Sequence, residues 1–112
     1  MRIRDMRIFV MYDLPMNEVE ETREYTKFRK ELIRLGFYQV QYSVYCKVVP
    51  NSNFIERLEK KLLPLIPSRG QVRMFQVTEA QYDNMKFLQG KKSISEEIVG
   101  NNNIVIIGDI ND

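Results

Sequence analysis

An α+β fold is predicted, with helices packed on one face of an antiparallel sheet, and three features of this 112-residue chain predict it. Apolar alternation marks strands at 6–13, 38–49 and 71–78. Apolar residues at helical spacing mark helices at 18–35 and again from the Asn51-Ser52-Asn53 segment. The two patterns take turns along the chain. A bend or bulge in the long middle strand would split it in two, giving strand-helix-strand-strand-helix-strand, the ferredoxin-like βαββαβ sandwich. A short C-terminal strand at 104–107 is appended to it.

In the first strand Met6, Ile8, Val10 and Tyr12 point one way and Phe9, Met11 and Asp13 the other. Both sets are largely apolar, so the strand is expected to be central and covered on both sides. The first helix follows Pro15 and Asn17. Glu18, Glu20 and Glu21 suit its positive end, Tyr25, Phe28, Leu32 and Leu35 form its buried stripe, and Gly36 stops it. In the middle strand Val40, Tyr42, Val44, Cys46 and Val48 alternate with an outward set of Gln41, Ser43, Tyr45 and Lys47. Ile55, Leu58, Leu62 and Leu65 give the second helix its stripe, and Pro64 should end or kink it. Pro67 to Gly70 read as a loop, and Thr78-Glu79-Ala80-Gln81 starts a short helix. Residues 91–103 are polar and are expected to form a mobile linker before Ile104-Val105-Ile106-Ile107. Residues 1–90 thus make the ferredoxin-like domain, and 91–112 its linker and tail strand. Helices would cover one sheet face, and a second copy related by a two-fold axis is the simplest cover for the other.

Composition narrows the chemistry. There is no histidine and one cysteine, so polar chemistry falls to carboxylates, amines, hydroxyls or a bound hard metal. Cys46 alone excludes an internal disulfide and a thiolate zinc site. No apolar run approaches a membrane span, and Arg2, Arg4 and Asp5 interrupt any secretory leader, so a cytoplasmic protein with no membrane partner is expected. A net charge of +2 does not argue for nucleic-acid binding by itself. Glycines are scattered, and no phosphate-cradling loop is formed.

Three groups could carry function. Asp13, at the carboxyl end of a buried strand, is either a divalent-metal ligand or a turn residue before Leu14-Pro15. One carboxylate makes a weak magnesium site, but two copies at a two-fold axis would pair it. On the first helix Arg23, Lys27, Lys30 and Arg34 line one face, opposite the apolar stripe at about 100 degrees per residue. That row could follow a phosphate backbone, or be a solvated face with the pairs Glu20–Arg23, Glu24–Lys27 and Lys27–Glu31. The outward set that includes Tyr45 and Lys47 could bind phosphates, fill a dimer contact, or be an ordinary half-exposed strand. Small-molecule sensors share this fold plan, so a regulatory or sensor dimer without nucleic-acid chemistry is the alternative.

Four segments in order carry a resemblance: Phe9-Val10-Met11-Tyr12-Asp13-Leu14-Pro15, Tyr25-Thr26-Lys27-Phe28-Arg29-Lys30 with Leu32 and Gly36-Phe37, Gln41-Tyr42-Ser43-Val44-Tyr45-Cys46-Lys47, and Val77-Thr78-Glu79-Ala80-Gln81-Tyr82. To about Met85 the chain resembles the small CRISPR-associated adaptation protein, the Cas-two family, and looks most like the branch found with Cas-nine systems. The resemblance implies a homodimer with one Asp13 from each copy at the axis, sharing magnesium, and endonuclease activity on RNA or double-stranded DNA. It implies a role in spacer acquisition for antiviral defence, the dimer bridging copies of a larger integrase subunit and holding the incoming duplex. Arg23, Lys27 and Lys30 then become duplex contacts, and Ile104 to Ile107 a tail strand that docks the integrase. One departure stands out. Many members carry a basic residue just before the Gln-x-Ser-Val run, where this chain has Tyr38-Gln39. A cation there would stabilise charge on a phosphate.

Overall fold

The computed structural model describes residues 5–102. Among them β1 (Met6–Asp13), α1 (Val19–Arg34), β2 (Tyr38–Gln41), β3 (Val44–Val49), α2 (Ser52–Leu62), β4 (Gln71–Thr78), α3 (Glu79–Asp83) and α4 (Ile94–Asn102) follow in order, with a 3₁₀ turn at Leu63–Leu65. The strands form one antiparallel sheet in the order β2-β3-β1-β4. This is the ferredoxin-like arrangement that the order of elements predicts.

The middle strand splits for a local reason. Register slips between Gln39 and Gln41, and Ser43 takes a left-handed φ of 59°, so the chain turns at Tyr42-Ser43 before β3 begins. The Ser43 carbonyl then accepts the Tyr12 amide at 3.0 Å, which ties this turn to the end of β1. Asn51 caps α2 by accepting the Phe54 amide at 3.1 Å. Pro64 falls in the 3₁₀ turn that closes the helix.

β1 is covered on both faces over most of its length, with Met11 and Asp13 exposed toward its end. Ile8, Val10 and Tyr12 enter a core with Phe28, Leu32, Phe37, Tyr45, Val49, Leu58 and Leu62 under α1 and α2. Each large side chain so buried contributes about 1.5–3 kcal/mol of transfer free energy. Phe9 joins Tyr38, Cys46, Val48, Tyr82 and Val99 on the opposite face.

Two expectations are corrected. Val44, Cys46 and Val48 do alternate, but the other side of β3 is not outward, because β3 is a central strand buried on both faces. Tyr45 is only 1% exposed, in the core under the helices, so it is not a dimer contact; Tyr42, expected on an inward face, is 67% exposed. The second correction concerns 91–103, where α4 replaces the expected linker. Ser93 and Glu96 form a reciprocal cap, Glu96 N donating to Ser93 Oγ at 3.2 Å and Ser93 N to Glu96 Oε1 at 3.0 Å. Val99, fully buried, seats the helix on the second face beside β2. Ile104, Val105, Ile106 and Ile107 lie outside the described residues.

Beneath α4 lies a polar network that the sequence pattern did not reveal. Arg7 is 2% exposed and forks onto Glu79, with Nε–Oε1 at 2.6 Å and Nη2–Oε2 at 3.3 Å. Its guanidinium lies 3.7 Å from the centroid of the Tyr82 ring and donates to the Tyr38 hydroxyl. Burial alone would disfavour its charge, but the Glu79 carboxylate outweighs that and holds it protonated. Tyr82 in turn hydrogen-bonds Glu96, and Ser93 Oγ donates to the Gln39 carbonyl at 2.8 Å, so the network clamps α4 to the sheet.

Candidate nucleic-acid and metal site

Asp13 is the last residue of β1 and is exposed. Its backbone position is set from two sides. The Tyr12 amide is held by Ser43, and Gly70 lies against the Asp13 carbonyl. A Cβ on Gly70 would fall 2.4 Å from that carbonyl oxygen, and Gly70 has φ +89°, so only glycine lets the Pro67–Gly70 loop approach so closely. The same loop is anchored to α1 by Arg69, whose Nη1 meets Glu21 Oε2 at 3.0 Å. Glu21 Oε1 also accepts the Asn17 and Glu18 amides, both at 3.1 Å, at the helix start. Arg69, foremost, and those amides hold the Glu21 carboxyl below the usual carboxylate range, against the opposing effect of desolvation.

Asp13 opens onto a shallow hollow of about 300 Å³ lined by Met11, Tyr12, Tyr42, Ser43, Val44, Gln71 and Arg73. Its donors are oxygen atoms, which suit a hard cation such as magnesium better than a soft one. Among the described residues, however, no group of three or more His, Cys, Asp or Glu side chains comes together. One protomer therefore offers a single carboxylate, and the donor set fits a magnesium ion only if a second copy supplies another. Neither the fully buried Cys46 thiol, which does not line the hollow, nor the Tyr12 phenol is set up as a nucleophile. Burial pushes the Cys46 thiol up to about 11, and burial, foremost, raises the Tyr12 phenol far above its ordinary value.

The basic row on α1 is exposed along its length at Arg23, Lys27, Lys30 and Arg34, and lines a groove with Thr22, Thr26 and Glu31. Two of its members are locally paired, Arg23 with Glu20 at 3.0 Å and Arg34 with Glu31 at 3.2 Å. These are solvated pairs of small worth. Lys27 and Lys30 have no ion pair among the described residues, and the expected contacts of Lys27 with Glu24 and Glu31 are not formed. Lys47 stands apart from this row. It pairs in register with Ile8 and is half-buried on the helix-covered face, where burial, with Lys61 nearby, lowers its pKa.

The structure brings Asp13 together with Arg73, which the sequence pattern did not single out. Pairing of β1 with β4 sets Asp13 opposite Gln71 and Met11 opposite Arg73, so acid and guanidinium share one sheet face. Such a pairing register is not readable from one strand at a time.

Comparison with known proteins bears on the same segments. The model of the family described as CRISPR associated protein Cas2 matches residues 6–85, from the start of β1 to just beyond α3. A protein named CRISPR-associated endoribonuclease Cas2 from Ligilactobacillus salivarius is 47% identical over 87 residues, 78% of this chain and 86% of that relative. Proteins of the same name from Lacticaseibacillus rhamnosus and Streptococcus mutans are 39% and 36% identical, covering 76% and 80% of this chain and 84% and 83% of the relatives. The strand bearing Asp13, the basic helix and the four-stranded sheet all lie inside the matched span, and the chain belongs to the CRISPR associated protein Cas2 family.

Proposed function

We propose that this chain acts in CRISPR spacer acquisition as a homodimer that grips a DNA duplex through backbone phosphates and bridges copies of a larger integrase subunit. Cleavage of RNA or double-stranded DNA is a secondary activity, centred on one Asp13 from each copy. The reading places the protein in the cytoplasm; among the described residues no helix is long and apolar enough to cross a membrane. The observation that carries the duplex role is the exposed row on α1, with Lys27 and Lys30 free of ion pairs among the described residues. Cations spaced along one helical face can neutralise successive phosphates without reading bases.

A second copy is supported by the face that bears Asp13. Phe75 stacks on Phe9 at 5.2 Å yet is 43% exposed, and Met11 beside it is 36% exposed. A two-fold axis through that face would set two Asp13 carboxylates side by side. Bound there, magnesium would supply Lewis-acid polarisation of a phosphodiester. Tyr42 and Ser43 would border the substrate. β4 is an edge strand of the described sheet, which leaves its edge open to a segment of a second copy.

Reversal of two charges separates the two activities. The double variant Lys27→Glu with Lys30→Glu should weaken duplex binding about equally for all sequences, lose at least tenfold in affinity, and flatten the dependence on salt. Asp13→Ala should abolish magnesium-dependent cleavage while leaving duplex affinity within about twofold. Duplex binding unchanged by the lysine reversals would reject the row on α1 as the grip.

A further inference from the structure

Tyr38 and Gln39, where the family resemblance leads one to expect a basic residue, do not line the Asp13 hollow, and Tyr38 is buried with Cys46 and Tyr82. The structure supplies a cation from a different strand. Arg73 lines the same hollow as Asp13 and is exposed. Its hydrogen bond goes to a neutral group, the Gln71 side-chain oxygen at 3.4 Å, and among the described residues it has no carboxylate partner. Gln71 sits directly opposite Asp13 of β1 and two residues before Arg73 on the same face of β4. Residues placed diagonally in this way lie about 7–8 Å apart, their Cβ atoms somewhat closer. A long side chain can span that distance, yet Arg73 makes no ion pair with Asp13 among the described residues, so both groups stay available to one ligand in the hollow.

We propose that Arg73 is the phosphate-binding residue of the Asp13 hollow, its guanidinium holding a non-bridging oxygen of the phosphodiester that Asp13 and its metal address. The proposal rests on the reading of Asp13 as a phosphodiester site and adds to it the group that takes up the charge. Arginine suits the task because its planar fork can hold two phosphate oxygens at once, and because it stays charged at any working pH. Its side chain is exposed on the sheet face that bears Asp13, so it can meet the same substrate. The Tyr42-Ser43 turn forms the opposite wall of the hollow, so a single strand of nucleic acid laid along β4 would pass both.

The test uses the full chain as wild type, Arg73→Gln, Arg73→Lys and Asp13→Asn. Binding of a fluorescein-labelled oligouridylate is followed in EDTA over a range of KCl, and its cleavage is followed separately with magnesium. Arg73→Gln should lower kcat for cleavage by about 100-fold, the size seen when one charge-stabilising donor is removed. It should also lower the magnitude of the slope of log affinity against log salt by about 0.7, one phosphate contact on a single strand. Arg73→Lys should restore the slope and only part of kcat, and the thermal midpoint should be that of wild type in both variants. An unchanged slope in Arg73→Gln overturns the proposal, and so does a lost slope that Arg73→Lys fails to restore, since that marks a structural role. Should Asp13→Asn cleave as well as wild type, the nuclease reading fails, but the binding measured without metal still decides the role of Arg73.

Discussion

Single residues fix the Asp13 hollow more tightly than its shallow shape suggests. Gly70 is the sharpest case. A methyl group there would meet the Asp13 carbonyl oxygen at 2.4 Å and Leu14 Cδ2 at 2.9 Å, at a backbone φ of +89°. Gly70→Ala should therefore cost about 2 kcal/mol or more, from the left-handed penalty and from displacement of the loop. In a domain of this size that is a fall of several degrees in Tm. Because the clash is with the residue that bears the carboxylate, cleavage should fall further than stability explains, measured as kcat at a temperature where both proteins are folded. A Tm within a degree of wild type would show that the loop does not press on Asp13. Asp13 was legible in the sequence as a candidate, since a polar residue ending an apolar strand is conspicuous. Gly70 read only as a loop residue, and Arg73 only as one polar position on a strand. Both gain their meaning from the pairing of β1 with β4, which is a long-range fact.

At the scale of elements, the sequence yielded those whose pattern is dictated by burial on one face, and missed one held by a polar cap. α1 and α2 were legible because their apolar stripes recur at helical spacing. α4 carries a mixed surface and was masked by its polar neighbourhood, yet Ser93-Ile94-Ser95-Glu96 is the sequence of a reciprocal N-terminal cap. The same blindness explains Tyr45. Alternation names two faces of a strand but not which is covered, and in β3 both are. If the cap and the Tyr82 contact hold α4 down, Glu96→Ala removes both at once. The expected loss is about 1–3 kcal/mol, one cap and one buried hydrogen bond to a charged group. Hydrogen exchange should show it locally, with amides of residues 97–100 losing protection while those of Ile8 and Val10 keep theirs. Equal loss across the sheet would mean that α4 is part of the folding unit and not a flap upon it.

The whole molecule shows an asymmetry that one copy does not resolve. α1 and α2 cover one sheet face, whereas α4 seats on the other beside β2 and leaves Met11 and Phe75 partly open on the Asp13 side. An exposed aromatic stacked on a buried one, next to an acid and an arginine without ion pairs among the described residues, has the make-up of an interface with an apolar centre and a polar rim. A second copy satisfies every element of this arrangement at once. It would cover Phe75, bring the second carboxylate that the proposed magnesium site calls for, and keep the α1 rows outward on both subunits, where the proposed duplex would lie across them. In the proposed dimer the basic rows and the paired acids would depend on the same contact. In solution the chain should have twice its 13.4 kDa mass. Phe75→Glu should halve that mass, because the two introduced charges would be buried close together at the axis. The resulting monomer should stay folded, since Phe75 is 43% exposed to begin with. It should also lose magnesium-dependent cleavage and bind duplex with a salt slope of about half the wild-type value, each copy now acting with a single row. Light scattering reads the mass and anisotropy reads the slope. A folded wild-type monomer that still cleaves would place the chemistry on one Asp13 alone and remove the need for the axis.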